Sequence, residues 1–227
     1  MEIPCKNVSE AVEKVIYHVI WNHYDVITED GEHTWQADPI TIVVDNPASP
    51  DYKHPKIPYG DQFYQEYIDE IVKGKNAGRF DYDYYSRLNH YDGYPDVLDD
   101  FLPVELTSVR QTNQIEYIVN KLRSQSASRR AVAITWEPWK DTEGNESVPC
   151  LQYIQCWMAR GKMNMSVLFR SEDMLLGYPQ NIVGLTNLQM YIARQLGIKI
   201  GKYYHFVTIP HIYNSRDANY LKPWLGE

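Results

Sequence analysis

The sequence predicts an α+β fold in which residues 1–227 form one domain. Three observations lead to this prediction. Apolar residues recur at helical spacing in four separate stretches of the chain. Short runs rich in β-branched residues lie between those stretches and are typical of strands. The chain contains no internal repeat, no low-complexity segment and no linker, and its 227 residues suffice for one large domain with a substantial core.

The N-terminal half contains two predicted helices and one predicted strand. Apolar residues at helical spacing predict a helix over residues 8–20, with Asn7 or Ser9 as its cap. The β-branched run at residues 40–47 predicts a strand that ends at a turn. A second amphipathic stretch predicts a helix over residues 62–73. A proline-rich, polar loop connects these last two elements.

The C-terminal half is richer in predicted strands. Helices are expected at residues 114–122 and 181–196, and strands at residues 131–136, 150–159, 162–170 and 203–209. The two middle strands are separated only by Arg160 and Gly161, so we expect them to form a hairpin.

The charge of the chain limits the partners that it can have. There are 22 Lys and Arg residues against 30 Asp and Glu residues, which gives a formal net charge of -8. Nonspecific binding of DNA or RNA requires clustered positive charge, so we expect no nucleic-acid partner. Any phosphate group that the protein binds should therefore lie in a small basic pocket.

Three cysteines, Cys5, Cys150 and Cys156, are spread far apart in the sequence. Their odd number and their spacing match neither a disulfide framework nor a CxxC metal site, and we expect no metal. The N-terminus lacks a basic segment followed by an apolar one, and no run of about 18 apolar residues occurs. We therefore expect a cytoplasmic protein that does not enter the membrane.

Four short segments are rich in residue types that take part in catalysis or ligand binding. The first is Ser128-Arg129-Arg130, which lies just before a predicted strand. Adjacent arginines are often only a solvated corner of the surface. Their alternative use is phosphate binding, because the guanidinium fork matches phosphate oxygens bidentately.

Cys150 and Arg170 lie in the second and third segments. A cysteine inside an apolar strand is usually a small core residue. Cys150, however, follows Pro149 at the start of a predicted strand, where a pocket can open. The third segment, at residues 169–173, ends a strand in Arg170 and acidic residues. Arg170 can neutralise a phosphate and also favour the thiolate form of Cys150.

The third segment continues to Asn181, and the fourth segment contains His211 and Tyr213. Local sequence favours Asn181 as the cap of the helix at residues 181–196. His211 and Tyr213 alternate with an apolar residue after a strand, so their side chains should share a face. Each of these features is weak by itself.

In their order and spacing, these segments resemble the thymidylate synthases and the related nucleotide hydroxymethylases. The matching motifs are SRR at 128–130, PC at 149–150 followed by Gln155, FRSEDMLLGYPQN at 169–181 and HIY at 211–213. The match covers the C-terminal half well, and the N-terminal half fits best with short archaeal-type members. The resemblance implies a mixed β-sheet flanked by helices.

The resemblance also implies a role for each matched residue. Cys150 adds to C6 of a pyrimidine nucleotide, and C5 then attacks a methylene group that a reduced pterin carries. Asn181 reads the base edge, Asp173 contacts the base through its backbone, and Gln155 packs near the base. The 5′-phosphate and the sugar are held by Arg170, Ser171, His211 and Tyr213, and by Arg129 and Arg130 from the second subunit of a homodimer with shared sites.

Two further roles are assigned by resemblance in the first half of the chain. The family's general-base glutamate lies on a helix, for which Glu66 and Glu70 are the candidates. We favour Glu66 because it neighbours Tyr64 and Tyr67 and is expected to face inward. Tyr84 resembles a family tyrosine that lies near the cysteine.

The sequence departs from the family pattern at several positions. Leu151 replaces the histidine that follows the catalytic cysteine, and Gln180 replaces the phenylalanine before Asn181. The arginine- and glycine-rich phosphate loop of the family is not visible between residues 40 and 60. The sequence also shows no apolar C-terminal tail to close over the cofactor, which leaves the reductive half-reaction open.

The expected function is synthesis of dTMP from dUMP, with 5,10-methylenetetrahydrofolate or methylene-tetrahydromethanopterin as the carbon donor. A hydroxymethylase acting on dCMP, CMP or dUMP is the alternative, and a nucleotide-binding relative without turnover is a third hypothesis. Asn181 favours uracil, because one amide satisfies both N3–H and O4, although a flipped amide also serves cytosine. The retained Cys150 argues against a protein that only binds.

Overall fold

A computed structural model of the chain describes residues 1–75, 83–92, 111–143 and 147–227. Within these ranges, mixed β-sheets are flanked by helices, which confirms the predicted α+β fold class.

The described elements are as follows. The helices are α1 (Val8–Asn22), α2 (Asp61–Lys73), α3 (Tyr84–Asn89), α4 (Gln114–Ser124), α5 (Pro138–Asp141), α6 (Gly177–Leu196) and α7 (Ala218–Leu225). The strands are β1 (Glu2–Cys5), β2 (Tyr24–Ile27), β3 (His33–Gln36), β4 (Ile40–Val44), β5 (Tyr91–Asp92), β6 (Gln111–Thr112), β7 (Val132–Ile134), β8 (Leu151–Ala159), β9 (Lys162–Phe169), β10 (Glu172–Asp173), β11 (Lys199–Val207) and β12 (Pro210–Ile212).

The largest sheet among the described residues has six strands in the order β1-β4-β11-β9-β8-β7. The pairs β1/β4 and β11/β9 are parallel, whereas β4/β11, β9/β8 and β8/β7 are antiparallel. The predicted hairpin is present as β8 and β9, and its turn uses Arg160 and Gly161, both with positive φ. Cys150 immediately precedes β8 and Arg170 immediately follows β9, so the two residues meet at the open end of the hairpin.

A smaller sheet in the described part of the chain holds the next segment of the site. Its order is β10-β12-β3-β2, with β10 and β12 parallel. The pairing of Asp173 with His211 in this sheet brings the segment after β9 next to the segment after β11.

The core lies on one face of the six-stranded sheet, under α1 and α6. Helix α1 begins behind Asn7, whose side chain accepts a hydrogen bond from the Glu10 backbone N–H at 2.9 Å. This confirms one of the two predicted caps. The buried stripe of the helix repeats at helical spacing and comprises Val8, Ala11, Val12, Val15, Ile16 and Val19.

The opposite face of the same sheet carries half-buried side chains. Along β8, β9 and β11, residues alternate between the core and this face, as a period of two requires. The group on this face includes Tyr153, Gln155, Trp157, Leu168, Tyr204 and Phe206, which together line a shallow depression. We call this group the outer sheet face.

Helix α6 begins earlier than the sequence predicted. It starts at Gly177 rather than at Asn181, so Asn181 lies within the helix and the prediction that it caps the helix is wrong. Pro179 explains the shift, because the first turn of a helix leaves N–H groups without intrahelical partners and a proline there loses no bond. Asn181 is therefore available for contacts inside the protein.

A buried arginine connects α3 to the segment that follows β7. Arg87 Nη2 lies 2.7 Å from Asp141 Oδ1, and Arg87 Nη1 lies 2.9 Å from Glu137 Oε2. All three side chains are buried, and Lys140 Nζ lies 3.5 Å from the same Glu137 oxygen, so two cations face the two carboxylates. This cluster fixes α3, whose first residue is Tyr84.

Helices α2 and α6 approach closely at Gly184. A Cβ atom on Gly184 would lie 2.7 Å from Ile71 Cδ1 and 2.7 Å from Tyr67 Cε1, closer than van der Waals contact allows. The absence of a side chain at residue 184 therefore lets α2 lie directly against α6.

In the described residues, no helix is both long enough and apolar enough to cross a membrane.

We expect Gly184→Ala to destabilise the protein by about 1–3 kcal/mol, because the added methyl group overpacks the α2–α6 contact. In an exposed helix the same change would stabilise by roughly 0.5–1 kcal/mol, so the sign of the effect tests the contact. Chemical denaturation of both proteins measures the free energy of unfolding.

The double variant Gly184→Ala, Ile71→Val provides the matched control. Valine lacks the Cδ1 atom that the new methyl group meets, so the double variant should lose less stability than the sum of the two single changes. Strict additivity would contradict the packing argument.

Candidate active site

A cavity of about 280 Å³ opens beside Cys150, at the open end of the β8–β9 hairpin. Polar and aromatic side chains from five regions of the sequence meet around it. The lining residues are Tyr67, Glu70, Asp83, Tyr84, Ser147, Cys150, Ser171, Glu172, Asp173, Gly177, Gln180 and Asn181. Five of the residues singled out in the sequence, Cys150, Tyr84, Ser171, Asp173 and Asn181, thus line one cavity.

Cys150 is held by the end of the hairpin and by the arginine that follows β9. The backbone N–H of Arg170 donates to the Cys150 carbonyl oxygen at 2.9 Å. The Arg170 guanidinium donates from Nε to the Pro149 carbonyl oxygen at 3.0 Å and from Nη2 to the Val148 carbonyl oxygen at 2.9 Å. A permanent positive charge therefore lies against the segment that leads into Cys150, where it attracts anionic groups.

The other two cysteines differ from Cys150 in their surroundings. Burial raises the pKa of the Cys5 thiol to about 12 and that of the Cys156 thiol to about 12. Both side chains are buried in the core, whereas Cys150 is half-buried at the cavity. Cys5 and Cys156 are therefore protonated, unreactive core residues at neutral pH.

Tyr84 approaches Cys150 from α3. Its hydroxyl oxygen accepts a hydrogen bond from the Leu151 backbone N–H at 3.3 Å. Asp83 caps α3 by accepting from the Ser86 N–H at 2.7 Å, which fixes the first turn where Tyr84 lies. The phenol group thus lies beside the peptide bond that follows the cysteine.

Ser171, His211 and Tyr213 form one edge of the site. Ser171 Oγ lies 3.3 Å from His211 Nδ1, and the rings of His211 and Tyr213 meet edge to face with centroids 5.0 Å apart. The guanidinium of Arg216 lies over the Tyr213 ring at 3.7 Å. The sequence did not single out Arg216, although its cation strengthens this edge.

Asp173 links this edge to the start of α6. Its Oδ1 accepts from the Leu175 N–H at 3.0 Å and from the Leu176 N–H at 3.3 Å, and its Oδ2 lies 3.2 Å from Arg216 Nη2. Burial raises the pKa of the Asp173 carboxyl group, while His211 and the two backbone donors act to lower it.

Asn181 projects from α6 and has both ends of its amide bound. Its Nδ2 donates to Glu172 Oε1 at 2.9 Å, and its Oδ1 accepts from the Tyr67 hydroxyl group at 2.5 Å. Tyr67 belongs to α2, so the close α2–α6 contact at Gly184 brings the two side chains together. Glu172 and Tyr67 carried no signal in the sequence as single residues.

The structure corrects the expectation for the helical glutamates. Glu66 is exposed on α2 and accepts from Gln62 Nε2 at 3.0 Å, so the expectation that it faces inward is wrong. Glu70, one helical turn later, lines the cavity. The tyrosines around Glu66 belong to a different face of the helix, which is why proximity in sequence was misleading.

Arg170, His211 and Tyr213 do not themselves line the cavity, although Arg170 contacts Cys150 and His211 contacts Ser171. The contacts of three other predicted site residues lie elsewhere. Gln155, expected near the base, belongs to the outer sheet face and donates to the Arg129 carbonyl oxygen at 2.9 Å. Arg129 and Arg130 are exposed, just before β7. The chain by itself therefore does not bring Arg129, Arg130 or Gln155 to Cys150.

The comparison with known proteins agrees with this arrangement. The thymidylate synthase family profile matches residues 12–222 of the chain. A protein of Methanocaldococcus jannaschii named "Putative thymidylate synthase" is 37% identical over 226 residues, which cover 97% of this chain and 94% of that protein. A Methanosarcina acetivorans protein of the same name is 32% identical over 213 residues, covering 93% of this chain and 89% of its own length.

Another relative matches about half of the chain. The thymidylate synthase of Bacillus licheniformis is 34% identical over 110 residues, which cover 48% of this chain and 39% of that protein. The family profile spans nearly all of the described elements, and the short archaeal proteins match over almost their full lengths. The chain therefore belongs to the thymidylate synthase family of enzymes.

Proposed function

We propose that the protein converts dUMP to dTMP, with Cys150 as the covalent nucleophile. The observation that carries this proposal is a cavity lined by both a half-buried thiol and a hydrogen-bonding amide, with a cation next to it. Cys150 and Asn181 line the cavity, and the Arg170 guanidinium binds the carbonyl oxygen of Pro149, the residue before Cys150. A thiol, a cation and an amide are the groups needed to attack, bind and recognise a pyrimidine nucleotide.

In the first step, the Cys150 thiolate forms a bond to C6 of the uracil ring. The C5–C6 double bond opens, and its electron pair makes C5 nucleophilic, with negative charge shared by O4. Asn181 Nδ2 has a second N–H group besides the one that donates to Glu172, and this group can donate to O4 as charge develops there. Asn181 thus recognises the base and stabilises the adduct.

The second substrate is a reduced pterin that supplies a one-carbon unit and then a hydride. The aminopyrimidinone edge of a pterin presents N–H donors, and Asp173 lines the cavity with a carboxylate that accepts hydrogen bonds. An acceptor at this position fits 5,10-methylenetetrahydrofolate and methylene-tetrahydromethanopterin equally. Gly177 and Gln180 also line the cavity.

A base must remove the proton from C5 after the carbon unit has been transferred. We propose Glu70 for this role in place of Glu66, because Glu70 lines the cavity and Glu66 is exposed. Tyr84 also lines the cavity and places its hydroxyl group beside the Leu151 backbone N–H.

The phosphate and the sugar are held on the edge formed by Arg170, Ser171, His211 and Tyr213. Two of the five guanidinium N–H donors of Arg170 bind carbonyl oxygens, and a dianionic phosphate can take others. We also propose that Arg129 and Arg130 reach the phosphate from a second subunit. What supports this proposal is the position of Arg129 next to the outer sheet face, which carries large half-buried aromatic side chains that a second subunit can cover. Within the chain, Gln155 of that face donates to the Arg129 carbonyl oxygen.

We expect Cys150→Ala to reduce turnover at least about a thousandfold, because no C6 adduct can form without the thiolate. The affinity for dUMP should change little, since the phosphate contacts remain. Turnover is measured as dTMP formation with each pterin, and affinity by equilibrium dialysis. The matched controls are Cys5→Ala and Cys156→Ala, which remove inert core thiols and should keep the reaction chemistry intact.

Analysis of the product identifies the reaction class in the same experiment. A methyl group at C5 supports the synthase, whereas a hydroxymethyl group identifies a hydroxymethylase, in which water traps the transferred carbon. Retention of a tenth of normal turnover in Cys150→Ala would contradict the covalent mechanism in either case.

We expect Glu70→Gln to lower kcat by about 10²–10⁴-fold with little effect on dUMP affinity, because the amide cannot accept the C5 proton. Glu66→Gln makes the same chemical change one helical turn away, at an exposed position, and should leave kcat within about twofold of normal, roughly the effect of a surface substitution. Steady-state kinetics on the two variants compares them directly. Equal losses at both positions, or a larger loss at Glu66, would contradict the assignment.

The shared site predicts complementation between inactive subunits. A variant with Arg129→Ala and Arg130→Ala should lose most activity, as should Cys150→Ala. When the two are mixed and allowed to exchange subunits, each mixed dimer has one intact site, so about a quarter of normal activity should return.

The control for complementation replaces Arg194→Ala, an exposed arginine on α6. This variant alone should retain activity, which shows that loss of a surface arginine is not generally harmful. If sedimentation finds only monomers, or if the mixture stays inactive, the shared site is excluded.

A further inference from the structure

A chain of buried polar groups leads from the core of the protein to the amide that faces the cavity. His205 Nδ1 lies 2.8 Å from the Tyr203 hydroxyl oxygen, and His205 Nε2 lies 2.7 Å from Glu172 Oε2. Glu172 Oε1 accepts from Asn181 Nδ2 at 2.9 Å. The exposed fractions are 0% for His205, 3% for Glu172 and 8% for Asn181, so water does not compete for these bonds.

The chemistry of the carboxylate fixes the direction of each bond in this chain. An ionised carboxylate only accepts hydrogen bonds, so both of its neighbours must donate. His205 therefore carries a proton on Nε2, and its Nδ1 can accept from Tyr203 in the neutral ring. On the other side, Asn181 must present its NH₂ group, rather than its oxygen, to Glu172. Every member of the chain is then satisfied, as buried groups require.

The same argument does not apply to the other partner of Asn181. The Tyr67 hydroxyl group lies at the Oδ1 end of the amide, but a hydroxyl group can donate or accept. It would therefore tolerate an amide in which nitrogen and oxygen had exchanged places. Glu172 would not, because the exchange would put two acceptor oxygens 2.9 Å apart in a buried site. Glu172 is the group that decides the orientation.

We propose that Glu172, held by His205, is a positioning residue that sets the base specificity of the enzyme through the orientation of Asn181. This inference rests on the proposed function, in which Asn181 reads the base. Uracil presents an acceptor at position 4 and a donor at N3, whereas cytosine presents the reverse pattern. A locked amide matches one of these patterns, and an amide that is free to rotate matches either.

The direct test is Glu172→Gln, which keeps the shape of the side chain and removes the charge. A glutamine amide can donate or accept, so Asn181 becomes free to exchange its ends. We expect the ratio of kcat/KM for dUMP to that for dCMP to fall about 5- to 150-fold, the range for one lost hydrogen-bond pattern. A ratio within twofold of normal in the folded variant would overturn the proposal.

The matched control is Glu137→Gln. Glu137 is also a buried carboxylate with a charged partner, Arg87, but it does not line the cavity. It therefore reports the general effect of removing a buried negative charge. Glu137→Gln should lower the melting temperature and leave the base ratio unchanged; a similar shift in the ratio would show that the effect of Glu172→Gln is not specific.

A second measurement distinguishes an effect on the orientation of Asn181 from a general loss of folding. The variant Asn181→Asp places two carboxylates beside each other, and adding Glu172→Gln restores a donor opposite an acceptor. The double variant should therefore melt at a higher temperature than Asn181→Asp alone. A lower melting temperature, or a double variant that does not fold, would show that Glu172 serves the fold and not the orientation of Asn181.

Failure of the inference can be told apart from failure of the proposed function. The dissociation constants for dUMP and dCMP are measured in Cys150→Ala, with and without Glu172→Gln, where no turnover is needed. A wild-type protein that turns over neither nucleotide contradicts the proposed function. The ratio of the two dissociation constants still tests whether Glu172 fixes the orientation of Asn181. A ratio that does not change in Glu172→Gln overturns that inference.

Discussion

At the open end of the β8–β9 hairpin, the backbone N–H of Arg170 donates to the Cys150 carbonyl oxygen. This single pairing brings Cys150, the proposed nucleophile, which precedes one strand, next to Arg170, which follows the other. Strand β9 is also paired in parallel with β11, so the segments that leave both strands run side by side into β10 and β12. The polar edge of the cavity thus follows from the register of three neighbouring strands.

Helices α2 and α6 position a second group of side chains at the cavity. Without a side chain at Gly184, α2 lies against α6, and Tyr67 reaches Asn181 while Glu70 reaches the cavity. The buried Glu172 then holds the other end of the Asn181 amide. In the proposed function, the ends of the strands supply the groups for bond formation and phosphate binding, and the helices supply the groups that distinguish uracil from cytosine.

The sequence predicted the elements whose apolar period is long enough to detect, among them α1, α2, α4, β8 and β9. It missed β1, β2 and β3, because four-residue strands show almost no period and depend on their neighbours in the sheet. Motif order predicted that Cys150 and Asn181 belong to one site, and both line the cavity. It favoured Glu66 over Glu70, although the two residues lie one turn apart on nearly the same face of α2. Which of them reaches the cavity depends on where along its axis α2 passes the cavity, and the sequence of α2 does not encode that position. The proposed contact of Arg129 with a phosphate requires a second chain, and a pattern within one chain does not encode such a contact.

The topology of the main sheet also determines the order in which the protein can fold during synthesis. Val44 of β4 pairs with Tyr203 of β11, so one edge of β4 stays unpaired until nearly all of the chain has left the ribosome. That edge belongs to the run Ile-Thr-Ile-Val-Val, which has high β propensity and no charge. Contacts over such sequence separations form slowly. The nascent chain is therefore most exposed to pairing with other chains before β11 docks, which is the interval in which a chaperone that shields strand edges has most effect.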